Sequence, residues 1–192
     1  AFKGTATMNA RDIAERFDLM GGNVNAYTSH EHTVYYAKVL KEYAADALRL
    51  LCDIVANSNF DGAELERERQ VILQEIAMHY DTPDDLVFDL YQEMAFGDQP
   101  LARPILGKAE RVATFSREDL LGYTAKHYQP NRLVLAAAGC VNHDETLAIA
   151  TEFFGAQTNR AALPPAPLAS YIGGEKTLEK DLEQVQLVLG FP

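Results

Sequence analysis

The sequence predicts an α+β fold in which helices cover one face of a mostly antiparallel sheet. Two runs rich in Val, Tyr and Thr, "NVNAYTS" and "HTVYYAKVL", are separated by a short polar stretch and read as consecutive antiparallel strands. Several segments repeat apolar residues at helical spacing, and further apolar runs of strand length follow later in the chain. With 192 residues, 47% of them hydrophobic, the chain can bury one substantial core, so one domain is expected.

Each element has a local cause. Asn9 caps a helix whose apolar positions are Ile13, Phe17 and Met20, and Gly21 with Gly22 supply its stop. The two strands come next. From Glu42 to Asn57, the residues Ala45, Leu48, Leu51, Cys52 and Val55 draw a second helical stripe. Asp61 opens a third helix, which Pro83 ends or bends, and "DDLVFDLYQEMAF" resumes a helical pattern as far as Gly97. "DQPLARPILG" is a loop. Ser116 and Asp119 form a capping-box pattern for a helix running to about Tyr128. "NRLVLAAAG" is a continuous apolar run of strand length, and a helix from about His143 to Phe154 follows. The segment 163–169, "LPPAPLA", is an extended connector. "EKTLEK" and "QVQLVLGF" then read as two more strands. No repeat or low-complexity tract occurs.

Composition narrows the function. The 28 Asp and Glu exceed the 17 Lys and Arg to give a net charge of -11, which argues against nucleic acid or an anionic membrane as the main partner. Basic peptides suit such a surface, although solubility alone accounts for an acidic balance. Two cysteines, Cys52 and Cys140, suggest neither a disulfide framework nor a thiolate metal site. No apolar stretch approaches the ~20 residues that span a bilayer, and "AFKGTATMNA" lacks the layout of a signal peptide. A start on Ala1 and an end on "LVLGFP" suggest a domain truncated at both ends.

"RERQVILQEIAMHYDTP" carries Glu68 and Glu75 seven residues apart, nearly two helical turns, so both carboxylates share one face about 10 Å apart along the axis. Ile72 lies between them on that face. From spacing alone, solvated acids on a helix surface are the default. His79, four residues after Glu75, could join it on one metal, although such pairs also arise by chance. "SHEHTVYY" offers His30, Glu31 and His32, but Val34 and Thr28 stand where either zinc-helix motif needs its second histidine, so this is a solvated strand end. His127 suits a helix C-terminus, and His143 is expected to be exposed. No G-x-S-x-G, P-loop or C-x-x-C occurs.

Six stretches carry a family resemblance: "FKGT", "GGNVNAYTSHEHTVYY", "ERERQVILQEIAMHYDTP", "PLARPILG", "HYQPNRLVLAAAG" and "QVQLVLGF". In this order they resemble the pitrilysin or insulinase family of zinc peptidases, M16, and within it the β subunits of mitochondrial processing peptidase and their bacterial relatives. The resemblance implies an α+β, LuxS/MPP-like metallohydrolase fold. It implies that residues 1–192 are a single partial domain, most of an N-terminal peptidase domain. In the family, zinc is held by two histidines of an H-x-x-E-H helix and by a glutamate downstream, which Glu75 matches. A His2Glu set leaves zinc's fourth position for a water that the metal acidifies, with the motif's own glutamate as general base. Glu68 matches the second acidic position on the downstream helix, counted here with the catalytic machinery because its carboxylate supports the metal site.

The resemblance also gives "NVNAYTS" a role, since in the family this strand pairs with extended substrate at the cleft rim. Asn25, Ala26 and Tyr27 match the substrate-binding positions, and small Ala26 allows a close approach by β-augmentation. The departure from the family is that H-x-x-E-H, which the family places immediately before "FKGT", is not in these 192 residues. The expectation is a fragment of the catalytic domain of a zinc metalloendopeptidase that cleaves extended peptides or presequences. Zinc belongs to the longer protein, with neither zinc nor activity expected in this fragment. The expected partners are a peptide substrate and a second half-domain or partner subunit, with no nucleic acid and no membrane. The compartment follows the organism: bacterial cytoplasm or periplasm, or mitochondrial matrix. A non-catalytic core subunit of the same fold is the alternative, and it turns on whether both histidines stand upstream.

Overall fold

A computed structural model describes residues 2–157, 165 and 167–192. Its regular elements are α1 (Ala10–Leu19), β1 (Asn23–Thr28), β2 (Thr33–Lys38), α2 (Ala44–Asn57), α3 (Gly62–Tyr80), α4 (Pro83–Phe96), α5 (Ala109–Val112), α6 (Arg117–His127) and α7 (His143–Phe154). Short 3-10 turns stand at Lys41–Tyr43, Pro100–Ala102 and Pro130–Arg132. The chain divides into two compact units. The first takes residues 2–66 and 116–157, and the second takes 67–115, 165 and 167–192.

In the first unit the expected caps are in place. Asn9 accepts from the Asp12 backbone N–H at 3.0 Å while Asp12 accepts from the Asn9 N–H at 2.9 Å, which fixes the start of α1. Ser116 and Asp119 do the same for α6. The apolar stripes converge on one core of Ile13, Phe17, Ala47, Leu50 and Ile54, with Val24 and Ala37 of the hairpin packed against it. Ile54 is fully buried, and burial of one such side chain contributes about 1.5–3 kcal/mol. α7 packs on α2 and carries buried Ile149. β1 and β2 pair antiparallel, with Asn25 opposite Tyr36, Ala26 opposite Tyr35 and Tyr27 opposite Val34.

Between α2 and α3 the chain turns through Phe60, whose φ of 47° is left-handed and costs a non-glycine residue about 1–2 kcal/mol. Arg117 braces that turn. Its Nε donates to the Asn59 and Phe60 carbonyls at 3.1 Å each, and its Nη2 donates to Asn59 O at 2.9 Å. Asp61 Oδ1 then accepts from the Ala63 and Glu64 N–H groups at 2.9 and 3.1 Å and starts α3.

In the second unit Pro83 occupies the first position of α4, where its missing N–H costs nothing. Gly97 ends that helix at φ 59°. Arg69 of α3 donates from Nη1 to Val112 O at 2.7 Å and from Nη2 to Phe115 O at 2.8 Å. The C-terminal stretch is joined to α4 through the Ile172 N–H, which donates to Ala95 O at 2.8 Å. Lys180 adds to this by donating from Nζ to Tyr80 O at 2.6 Å.

The expected sheet-dominated architecture is overturned. Among the described residues 51% are helical and only 9% are strand, so the fold is a mostly helical α+β arrangement with one open two-stranded sheet. "NRLVLAAAG", "EKTLEK" and "QVQLVLGF" are not strands here, because none of them joins a ladder. Apolar content marks a segment that gains from cover, but a strand exists only where a second backbone accepts its N–H and C=O groups. Val134 and Val185 are 95% and 93% exposed, so these runs lack cover as well as pairing. The connector 163–169 falls largely outside the described residues.

Candidate functional site

α3 carries both acidic candidates, and its burial pattern separates them. Its half-buried positions include Leu65, Glu68, Arg69, Ile72, Leu73, Ile76 and His79, a stripe at helical spacing. Glu68 belongs to that stripe and is engaged by neighbouring groups. Glu75 falls at its edge, exposed, with no hydrogen bond or ion pair among the described residues. Carboxylates with the same spacing thus differ in kind: Glu68 is committed within the protein, and Glu75 is free to accept an external partner.

His79 does not join Glu75. Its Nε2 meets Asp89 Oδ2 of α4 at 2.8 Å, with side-chain exposures of 28% and 36%, so it ties the last turn of α3 to α4. Sequence periodicity cannot find this contact, because it crosses between two helices and no i, i+4 rule connects its members.

β1 presents Asn25 and Tyr27 on its exposed face, with Tyr27 52% exposed, while Ala26 is half-buried on the other. Asn25 Oδ1 accepts from the Ala26 N–H at 2.8 Å. Among the described residues β1 pairs only with β2, so its other edge offers main-chain groups to an extended peptide. The sheet's aromatic support reaches α6: Tyr35 and Tyr128 hydroxyls meet at 3.0 Å, and burial followed by that contact pushes the Tyr35 hydroxyl far up. Nothing in the sequence pattern pairs residues 93 positions apart.

His32 stands at the hairpin turn, its Nδ1 3.2 Å from Ser29 Oγ, and is exposed, as a solvated strand end requires. His127 stacks on Tyr123 with ring centroids 4.5 Å apart, and partial burial, Lys126 and Arg132 lower its pKa. Exposed His143 is the first residue of α7. Among the described residues no three His, Cys, Asp or Glu side chains are grouped to hold a metal. A catalytic zinc takes three protein ligands and a water, and Glu75 offers one carboxylate, so the residues present do not make a zinc site by themselves. None of the helices among the described residues is long and apolar enough to cross a membrane.

Comparison with known proteins places this geometry in context. Residues 1–109 match the family profile described as insulinase (peptidase family M16), and residues 114–192 match the profile described as peptidase M16 inactive domain. A protein of Rickettsia bellii named an uncharacterized zinc protease is 48% identical over 191 residues, covering 100% of this chain and 46% of the relative. The human mitochondrial-processing peptidase subunit beta is 40% identical over 183 residues, covering 94% of this chain and 37% of the relative. The chain therefore spans less than half the length of either. A solved protease from Helicobacter pylori shares the fold, with a TM-score of 0.79 at 22% identity over 88% of this chain and 42% of that one.

Proposed function

The chain belongs to the insulinase family of peptidases, M16, and on that premise we propose that it forms most of an N-terminal peptidase domain in a zinc metalloendopeptidase of extended peptides. Within that enzyme Glu75 donates one carboxylate to the metal, Glu68 supports the metal site from the same helix, and β1 receives substrate along Asn25, Ala26 and Tyr27. The observation that carries this reading is the exposed carboxylate of Glu75, which has no hydrogen bond or ion pair among the described residues, beside the engaged Glu68 on the same helix. A carboxylate already held by a protein cation would lose that partner on ligating a metal, whereas Glu75 has none to lose among the described residues.

The nitrogen donors come from residues outside these 192, so no zinc-dependent step is assigned to the chain alone. The longer protein also supplies a second half-domain or partner subunit to close over substrate, and the acidic balance of this half favours basic peptides. Peptidase assays on a longer protein that contains this chain test the reading. Glu68→Gln and Glu75→Gln should each depress kcat, whereas Ala26→Pro, which blocks a close-approaching backbone, should raise KM for extended peptides. If Glu75→Gln cleaves as fast as the parent, Glu75 is not a zinc ligand; if the longer protein itself cleaves nothing, the chain belongs instead to a non-catalytic core subunit of the same fold.

A further inference from the structure

The first unit contains a cavity of about 560 Å³ bounded by α1, α2, α7 and the loop before α1. That volume lies within the roughly 300–1,000 Å³ of small-ligand sites. Its walls are apolar, formed by Met8, Met20, Leu50 and Phe153, with Leu19 81% exposed at the helix end. Four charged side chains also line it: Arg16 of α1, and Asp46, Arg49 and Asp53 of α2.

The α2 trio has a simple origin. Asp46, Arg49 and Asp53 stand at i, i+3 and i+7, one stripe of the helix, while Ala47, Leu50 and Ile54 take the adjoining stripe into the core. Arg49 reaches Glu152 of α7 at 3.7 Å. Arg16 and Asp46 make no side-chain hydrogen bond or ion pair among the described residues. Asp53 Oδ1 accepts from Asn57 Nδ2 at 2.7 Å, but its Oδ2 is buried with no hydrogen-bond partner among the described residues. A buried carboxylate oxygen without a donor is costly, and Asp53 is also one of the residues that line the cavity.

We propose that this cavity binds a short apolar peptide with free termini, whose ammonium group pairs with Asp53 and Asp46 and whose carboxylate pairs with Arg16. Arg16 and Asp46, one charge of each sign, line the cavity without a side-chain partner among the described residues, so a ligand of a single charge would leave one of them unanswered, whereas a zwitterion answers both. The volume exceeds what a lone amino acid fills, and the apolar walls select aliphatic side chains. The residues this site uses include none of Glu68, Glu75, Asn25, Ala26 and Tyr27.

Titrating the 192-residue chain with the tripeptide Leu-Ala-Leu, followed by calorimetry and amide NMR, tests this. Saturable binding with shifts at Met8, Leu19, Met20 and Leu50 is expected, with affinity at least tenfold lower for the N-acetylated peptide. Asp53→Asn should weaken the free peptide by a similar factor and leave the acetylated peptide unchanged, while Arg16→Gln should make free and C-amidated peptides bind alike. Asp144→Asn, outside the cavity, should change nothing, and far-UV circular dichroism verifies that each variant is folded. Absence of saturable shifts, equal binding of a doubly blocked peptide, or equal loss of free and acetylated peptides in Asp53→Asn would each overturn the proposal.

Discussion

Replacing Arg117 by Ala should destabilise the protein far more than an ordinary surface substitution does. The guanidinium makes three hydrogen bonds to two carbonyls, at 3.1, 3.1 and 2.9 Å, and so braces a turn whose Phe60 holds φ at 47°. Buried hydrogen bonds to a charged group are worth about 1.5–3 kcal/mol, but these are exposed, so water replaces much of each. The estimate is therefore about 1–2 kcal/mol for the set, against about 0.5 kcal/mol or less for most surface changes. For a chain of this length that corresponds to a fall in Tm of roughly 2–8 °C. Urea unfolding followed by circular dichroism measures it. Arg117→Lys, which retains the charge but not the fork, should recover less than half of the loss. An Arg117→Ala variant within about 0.3 kcal/mol of the parent would refute the idea that this side chain braces the turn before α3.

Three further outcomes follow from burial. Ile54→Ala removes a fully buried side chain from the core and should cost about 2–5 kcal/mol in the same unfolding experiment. Exposed Cys140 should react at once with a thiol reagent at pH 8, while buried Cys52 reacts only after denaturation. Burial and then the Glu152 carboxylate push the Cys52 thiol up to about 11, so the folded protein keeps a proton that the unfolded chain gives up. That contribution to stability is complete below the ordinary thiol pKa of about 8.5 and is lost as pH rises toward 11, so Cys52→Ala should flatten the alkaline limb of a stability–pH profile.

The helices were legible in the sequence because their signals are local. Asn9 with Asp12 and Ser116 with Asp119 are cap patterns complete within four residues, and α7 runs from His143 to Phe154 as its stripe predicts. The hairpin was legible for the same reason, its two strands being neighbours in the chain. The late strands were not, since "NRLVLAAAG" and "QVQLVLGF" record apolarity while the ladder that makes a strand depends on backbone from elsewhere. For the candidate site, spacing placed Glu68 and Glu75 on one side of α3 but did not tell an engaged carboxylate from a free one. The His79–Asp89 contact and the Tyr35–Tyr128 hydroxyl pair join elements distant in sequence and left no trace in any periodicity.

Zinc content, measured with stability in the same samples, tests the role of Glu75 most directly. In a longer protein containing this chain, Glu75→Gln should lose tightly held zinc by elemental analysis, while the unfolding free energy of its metal-free form stays within about 0.5 kcal/mol of the parent, as expected for an exposed side chain without partners among the described residues. Undiminished zinc in Glu75→Gln, with the protein folded, would contradict the assignment.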